Sequence, residues 1–168
     1  MITRRLFLGG VLGLGALPLV GCSSTEPSGD RPELYKTRSE WRNLLSAAAF
    51  SILFNEGTED PGSSPLANEH RAGTYICAAC FIPLFSSETK YESGTGWPSF
   101  WKVIDGRIAT KPDLSTGTAR TEYHCVRCGG HQGHRFDDGP PPTGLRHCNN
   151  GLALQFVLAS DPLPALRT

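Results

Sequence analysis

Hydrophobic and polar positions change pattern four times along the 168 residues. Residues 6–21 are apolar and rich in glycine, immediately behind the paired Arg4 and Arg5. That stretch is too short for a comfortable membrane span and reads as an export signal. Residues 23–31 carry Ser, Pro, Gly and Glu with almost nothing apolar, so they cannot offset the entropy of ordering and read as a tether. Residues 39–45 then place Trp41, Leu44 and Leu45 at helical spacing behind Ser39, which predicts a short helix capped by that serine. The apolar run 47–54 predicts a second helix, ended by Asn55-Glu56-Gly57, where the glycine suits the left-handed residue after a helix. Beyond it, Thr74-Tyr75-Ile76, Arg120-Thr121-Glu122-Tyr123-His124 and Leu152-Ala153-Leu154-Gln155-Phe156-Val157 read as strands, and Ile82-Pro83-Leu84-Phe85 as a turn into a strand. With 19 glycines and 13 prolines, short strands joined by turns are favoured over long helices, and the length leaves room for one domain with one core.

The N-terminal pattern carries further expectations. Leu19-Val20-Gly21-Cys22 has the look of a bacterial lipobox, which would make a lipidated Cys22 the mature N-terminus. Thr3-Arg4-Arg5-Leu6-Phe7-Leu8 resembles a twin-arginine signal, whose route exports folded, metal-loaded proteins; an ordinary secretory signal is the alternative. The organisation read from this is a signal peptide at 1–21, a flexible tether at 22–35, a single domain at 36–158 and a C-terminal tail at 159–168. The expected location is that of an exported bacterial lipoprotein, on the periplasmic side of a membrane or at the cell surface. Ser23 after the lipid-bearing cysteine points to the outer membrane if the cell has one. Lys plus Arg and Asp plus Glu balance at 16 each, with no run of like charge to track a phosphate backbone, so no nucleic-acid partner is expected.

Cysteines carry the candidate chemistry. Cys77 and Cys80, and Cys125 and Cys128, form two Cys-x-x-Cys pairs, each able to supply two thiolates to a tetrahedral metal with little strain. Gly129-Gly130 after the second pair lets the backbone turn tightly around an ion. Structural zinc is the reading these pairs favour; disulfides, usual in exported proteins, and a redox dithiol remain open. Cys148 has no such partner. Arg146, Cys148 and Asn150 alternate, so on a strand they would face one side together, with the cationic neighbour favouring a nucleophilic thiolate. Gly130-His131-Gln132-Gly133-His134 reads as a loop that could bring two imidazoles over that surface, with Asp138 placed to orient one of them.

These residues, together with Gly57-Thr58-Glu59, Leu84-Phe85-Ser86-Ser87, Lys90, Ser93-Gly94-Thr95-Gly96-Trp97-Pro98-Ser99-Phe100, Phe136-Asp137-Asp138-Gly139-Pro140 and Gly144-Leu145-Arg146, resemble the methionine-R-sulfoxide reductase B family over about residues 39–157. The resemblance implies a mainly β fold: two small antiparallel sheets, short N-terminal helices and a structural Zn2+ on Cys77, Cys80, Cys125 and Cys128. It implies repair of oxidised proteins or peptides carrying methionine sulfoxide. Cys148 would attack the sulfoxide sulfur, and His131, His134 and Asp138 would polarise the oxygen and deliver protons. Arg146 and Asn150 would favour the thiolate and hold the geometry, with Trp97 and Phe136 on the substrate side. Cys148 would be left as a sulfenic acid.

The chain also departs from the family pattern. Thr95 stands where many members carry a resolving cysteine, so an external donor is expected, a thioredoxin-like protein before small thiols. Gln132 and Arg135 stand where apolar residues are frequent, and His147 and Asn149 flank the nucleophile where Tyr and Ile or Val are common. A zinc-ribbon binding module would have no use for Cys148 with Arg146 and Asn150 in register. A thiol-disulfide oxidoreductase would use Cys77 and Cys80 and need a βαβ context. A monomer is expected.

Overall fold

The computed structural model describes residues 32–168. The expected signal peptide, the lipid-bearing Cys22 and most of the tether lie outside the described residues. Helix α1 (Arg38–Leu44) is capped by Thr37, two residues before the expected Ser39. Thr37-x-x-Glu40 is the capping-box spacing: the threonine oxygen accepts the Glu40 N–H, and the Glu40 carboxylate accepts the Thr37 N–H at 2.7 Å. Trp41 faces the core, whereas Leu44 is 42 % exposed and does not share its face. Helix α2 (Ala47–Asn55) is capped by Ser46, whose oxygen accepts the Ala49 N–H at 3.1 Å. Glu56, not Gly57, takes the left-handed conformation at its end. Gly57 is needed for closeness instead, since a Cβ there would lie 3.1 Å from the Ser51 carbonyl oxygen.

The strands are β1 (Gly73–Cys77), β2 (Pro83–Ser86), β3 (Lys90–Tyr91), β4 (Ser99–Phe100), β5 (Ile108–Asp113), β6 (Arg120–Cys125), β7 (His131–Phe136), β8 (Arg146–Asn149) and β9 (Leu154–Leu158). They form a three-stranded sheet ordered β2-β1-β9 and a six-stranded sheet ordered β3-β4-β8-β7-β6-β5, with antiparallel pairing throughout. The fold is therefore mainly β with two N-terminal helices, as the sequence and the resemblance implied. Two local expectations change. The histidine run is not a loop but β7, inside the larger sheet. The last strand begins only at Leu154, because the Glu59 carboxylate accepts the N–H groups of Gly151 (2.5 Å) and Leu152 (3.0 Å) and draws that segment into a single 3-10 turn.

An aromatic wall fills the space between the sheets. Tyr75, Phe85, Phe100 and Tyr123 are fully buried, and Phe85 stacks on Phe100 with ring centroids 4.1 Å apart. His147 completes this wall, 5.5 Å from the Tyr123 ring and 6.1 Å from Phe85. An imidazole can stand at a place where tyrosine is frequent because its Nδ1–H donates to the Phe100 carbonyl at 3.3 Å. Burial lowers its pKa, so the ring stays neutral against the aromatics.

Replacing Phe85 by alanine should lower unfolding free energy by about 3–5 kcal/mol, the range for a large aromatic removed from a core that cannot collapse. Urea denaturation followed by tryptophan fluorescence checks this; a loss below about 1 kcal/mol would mean that the wall is not tightly packed.

Candidate active site and metal cluster

Directly opposed residues in antiparallel strands share a face. The larger sheet thus carries one continuous row: Lys111 on β5, Glu122 on β6, His134 on β7, Cys148 on β8, Ser99 on β4 and Tyr91 on β3. The nucleophile candidate lies in the middle, between an imidazole and a hydroxyl. A β-bulge between Tyr123 and His124 leaves Gln132 without a partner on β6 and pairs His131 with His124. The extra residue brings His131 round to the face of His134, with ring centroids 5.4 Å apart. Gly133 between them admits no side chain, because a Cβ there would run into the Cys148 carbonyl oxygen.

A cleft of about 100 Å³ opens on this face, lined by Thr58, Trp97, His134, Phe136, Cys148 and Asn150 among others. Of the residues singled out from sequence, Cys148, His134, Asn150, Trp97 and Phe136 thus meet at one surface. Trp97 is fixed by its indole N–H, which donates to the Glu59 carbonyl at 3.1 Å. Asn150 is spent on the backbone: its oxygen accepts the Glu59 N–H at 3.0 Å and its amide donates to the Gln132 carbonyl at 3.1 Å. It holds the end of β8 in place.

Arg146 and His131 are buried and are not among the residues that line the cleft. The Arg146 guanidinium makes a two-pronged pair with Asp138, both bonds 2.8 Å, and stacks over Phe136 at 4.3 Å. Asp138 therefore orients the arginine, not a histidine as the sequence led us to expect. The histidines have other carboxylates. His131 Nδ1–H donates to Glu122 Oε1 at 2.7 Å, and His134 Nε2–H donates to Asp113 Oδ2 at 2.7 Å. Burial opposes ionisation of Glu122, yet the bonds from His124 and His131 outweigh it and hold its pKa down to about 2. Asp113 is held low by Ser115 first, then by His134 and Arg120. The two ionised carboxylates thus fix which ring nitrogen of each histidine points its hydrogen at them, leaving Nδ1 as the basic nitrogen of His134. His131 Nε2 is buried and bonds to no described residue. Glu122 and Asp113 were missed in the sequence because their partners are set by strand register, not by chain spacing.

Around Cys148 the hydroxyls of Ser93, Thr95 and Ser99 form a chain, Ser93 lying 2.8 Å from Thr95 and 2.7 Å from Ser99. Thr95 Oγ1 is 4.0 Å from the sulfur. Burial pushes the Cys148 pKa above the ordinary thiol value, while Arg146, Thr95 and Ser99 pull it back. The net shift is upward, so the resting group is a thiol rather than the thiolate the sequence reading favoured. The cationic and hydroxyl neighbours reduce the cost of forming the thiolate during reaction.

Outside the cleft, the sulfurs of Cys77, Cys80, Cys125 and Cys128 all lie within 4.8 Å of one another and are buried. Cys77 and Cys128 are 3.7 Å apart, and Cys80 and Cys125 3.6 Å. These separations are well beyond the roughly 2.05 Å of a disulfide and match the roughly 3.8 Å edge of a tetrahedron with metal–sulfur bonds of about 2.3 Å. Four soft donors in that arrangement fit a metal ion closed to other ligands.

Arg146→Met should raise the Cys148 pKa further and slow its alkylation by iodoacetamide at neutral pH by roughly tenfold, one pKa unit's worth. In the parent protein the alkylation rate should climb with pH to a midpoint above the ordinary thiol value. Equal rates for the two proteins across the pH range would remove Arg146 from any role at the sulfur.

Comparison with known proteins agrees with this geometry. The SelR domain matches residues 45–158. The chain is 48 % identical over 125 residues to the peptide methionine sulfoxide reductase MsrB of Leptospira interrogans, covering 74 % of this chain and 95 % of that protein. It is 45 % identical over 126 residues to the protein of that name from Agrobacterium fabrum (74 % and 93 % covered), and 48 % identical over 122 residues to the one from Methanosarcina barkeri (72 % and 86 % covered). The chain belongs to the SelR-domain family, that of the peptide methionine sulfoxide reductases MsrB.

Proposed function

We propose that this protein reduces methionine-R-sulfoxide in peptides and proteins to methionine, with Cys148 as nucleophile. The observation that carries the reading is a half-buried thiol beside the neutral His134, at a cleft walled by Trp97 and Phe136. Burial lowers the His134 pKa, so the imidazole is neutral and can take the Cys148 proton through Nδ1 as the sulfur attacks. Asp113 steadies the imidazolium that forms, which then protonates the sulfoxide oxygen. Oxygen passes from the sulfoxide to the cysteine: methionine sulfur gains two electrons, and Cys148 loses two and becomes a sulfenic acid. The apolar faces of Trp97 and Phe136 suit the methyl end of the side chain. His131, bonded to Glu122, packs against His134 and keeps its ring in place.

A first external thiol then displaces the sulfenic oxygen as water, giving a mixed disulfide that a second thiol resolves. An external donor is favoured because the other four described cysteines are gathered in the buried cluster and Thr95 offers only a hydroxyl. A thioredoxin-like protein fits this role. Cys77, Cys80, Cys125 and Cys128 would hold zinc, which supplies a cross-link between β1, the turn after it and the end of β6. The paired arginines, the apolar stretch 6–21 and Leu19-Val20-Gly21-Cys22 support export and lipid anchoring at Cys22.

Steady-state reduction of separated R and S sulfoxide peptides with a chemical dithiol tests the function. Turnover should be confined to the R epimer and fall by at least about a thousandfold in Cys148→Ser, as expected for loss of a covalent nucleophile; equal use of both epimers, or a fully active variant, contradicts it. After one turnover without reductant, non-reducing peptide mapping should find no intramolecular disulfide at Cys148 in the parent and one in Thr95→Cys. A disulfide in the parent would rule out the external-donor step.

A further inference from the structure

The bulge that turns His131 toward the active face sends Gln132 the other way, into an interior where it is wholly buried. Its amide is nonetheless almost fully used. One N–H lies 3.5 Å from the Cys77 sulfur and the other 3.4 Å from the Gly130 carbonyl. Its oxygen accepts, at 3.5 Å, from the Asn149 amide. Asn149 is also wholly buried; its oxygen accepts the Tyr123 O–H at 2.7 Å, and its amide also donates to the Asn150 carbonyl at 2.8 Å. The main chain closes the same connection, since the Asn150 N–H donates to the Gln132 carbonyl at 2.8 Å. Two fully buried amides thus join a cysteine of the metal cluster to the residues that directly follow Cys148.

Burying an amide costs free energy unless its hydrogen bonds are made, and an apolar side chain would fill either position without that demand. What the amides add is directional. Four thiolates around a divalent cation leave surplus negative charge on sulfur, and a buried N–H aimed at one of them spreads that charge. Among the described residues, Gln132 is the side chain that donates to a cluster sulfur from outside the cluster. An amide held by a metal-bound sulfur at its nitrogen presents its oxygen in a fixed direction, and Asn149 takes its own orientation from that oxygen. Asn149 in turn sits next to the nucleophile on β8.

We infer that Gln132 is an outer hydrogen-bond donor to the metal's Cys77 thiolate and that, through Asn149, it ties occupancy of the metal centre to the setting of the strand that carries Cys148. The inference rests on the reading of the four cysteines as a metal site, and its test needs no turnover.

Cobalt(II)-loaded protein provides the probe, because its sulfur-to-metal charge-transfer band reports the electron richness of the thiolates. Loss of the N–H contact should move the band to longer wavelength in Gln132→Leu and speed metal loss to a chromophoric chelator about tenfold, the lower end for a partner of a metal ligand. Asn149→Val touches no cysteine of the cluster. It should move the band in the same direction by less, and peptide mapping should show the iodoacetamide labelling rate of Cys148 changing at least about threefold in both variants, equivalent to a few tenths of a pKa unit. Circular dichroism of the loaded variants establishes that they remain folded. A Gln132→Leu protein with the parental band and chelator kinetics overturns the donor role. An Asn149→Val protein that leaves the band and the Cys148 labelling rate unchanged overturns the link. Wild-type protein that takes up no cobalt overturns the metal reading and this inference with it, while leaving the Cys148 chemistry standing.

Discussion

Register in the six-stranded sheet is the constraint on which the site depends. Side chains alternate faces along a strand, so a slip of one residue in β8 would send Cys148 into the aromatic wall and bring His147 to the surface. The register is pinned from both sides. His147, Phe100 and Tyr123 fit only on the wall side, where Phe85 and Tyr75 receive them. Gly133 allows β7 to approach β8 closely only where it meets the Cys148 carbonyl. One deliberate irregularity, the bulge opposite Tyr123 and His124, then supplies what a regular ladder cannot: two imidazoles on a single face within three residues of chain.

Electrostatics on that face follow from burial. Cys148 is sheltered enough that its thiol holds its proton, with Arg146 and the hydroxyls of Thr95 and Ser99 ready for the charge that forms only when substrate arrives. Arg146 can serve because Asp138 and Phe136 hold its guanidinium in one place. His134 is kept neutral by burial and given a defined tautomer by Asp113. A resting thiol resists adventitious oxidation better than an exposed thiolate, which suits a sulfur whose task is to accept oxygen from one substrate.

Much of this was legible in the chain where spacing along the sequence carries the information. The two Cys-x-x-Cys pairs, the alternation of Arg146 and Cys148 ahead of Asn150, and the helix over residues 47–54 could all be read locally. What could not be read is set by contacts distant in sequence. Glu122 and Asp113 meet their histidines across strands, and Asp138 is taken by an arginine on the neighbouring strand, so proximity along the chain pointed to the wrong partner. Glu59 holds the start of the 3-10 turn at residues 151–153 from 92 positions away. Ser39 was passed over because Thr37 has Glu40 three residues on, whereas the same step from Ser39 reaches Arg42. Gln132 and Asn149 looked like isolated departures from an apolar pattern and become one feature only when their amides meet.

The account stands on oxygen passing from the substrate to one sulfur. Incubating stoichiometric R-sulfoxide peptide with the reductant-free protein in the presence of dimedone, followed by peptide mass spectrometry, tests it most directly. The account predicts one dimedone adduct per molecule, on Cys148 alone, appearing in step with one equivalent of methionine peptide. Methionine formed without that adduct, or an adduct on the cysteines of the cluster in its place, would contradict it.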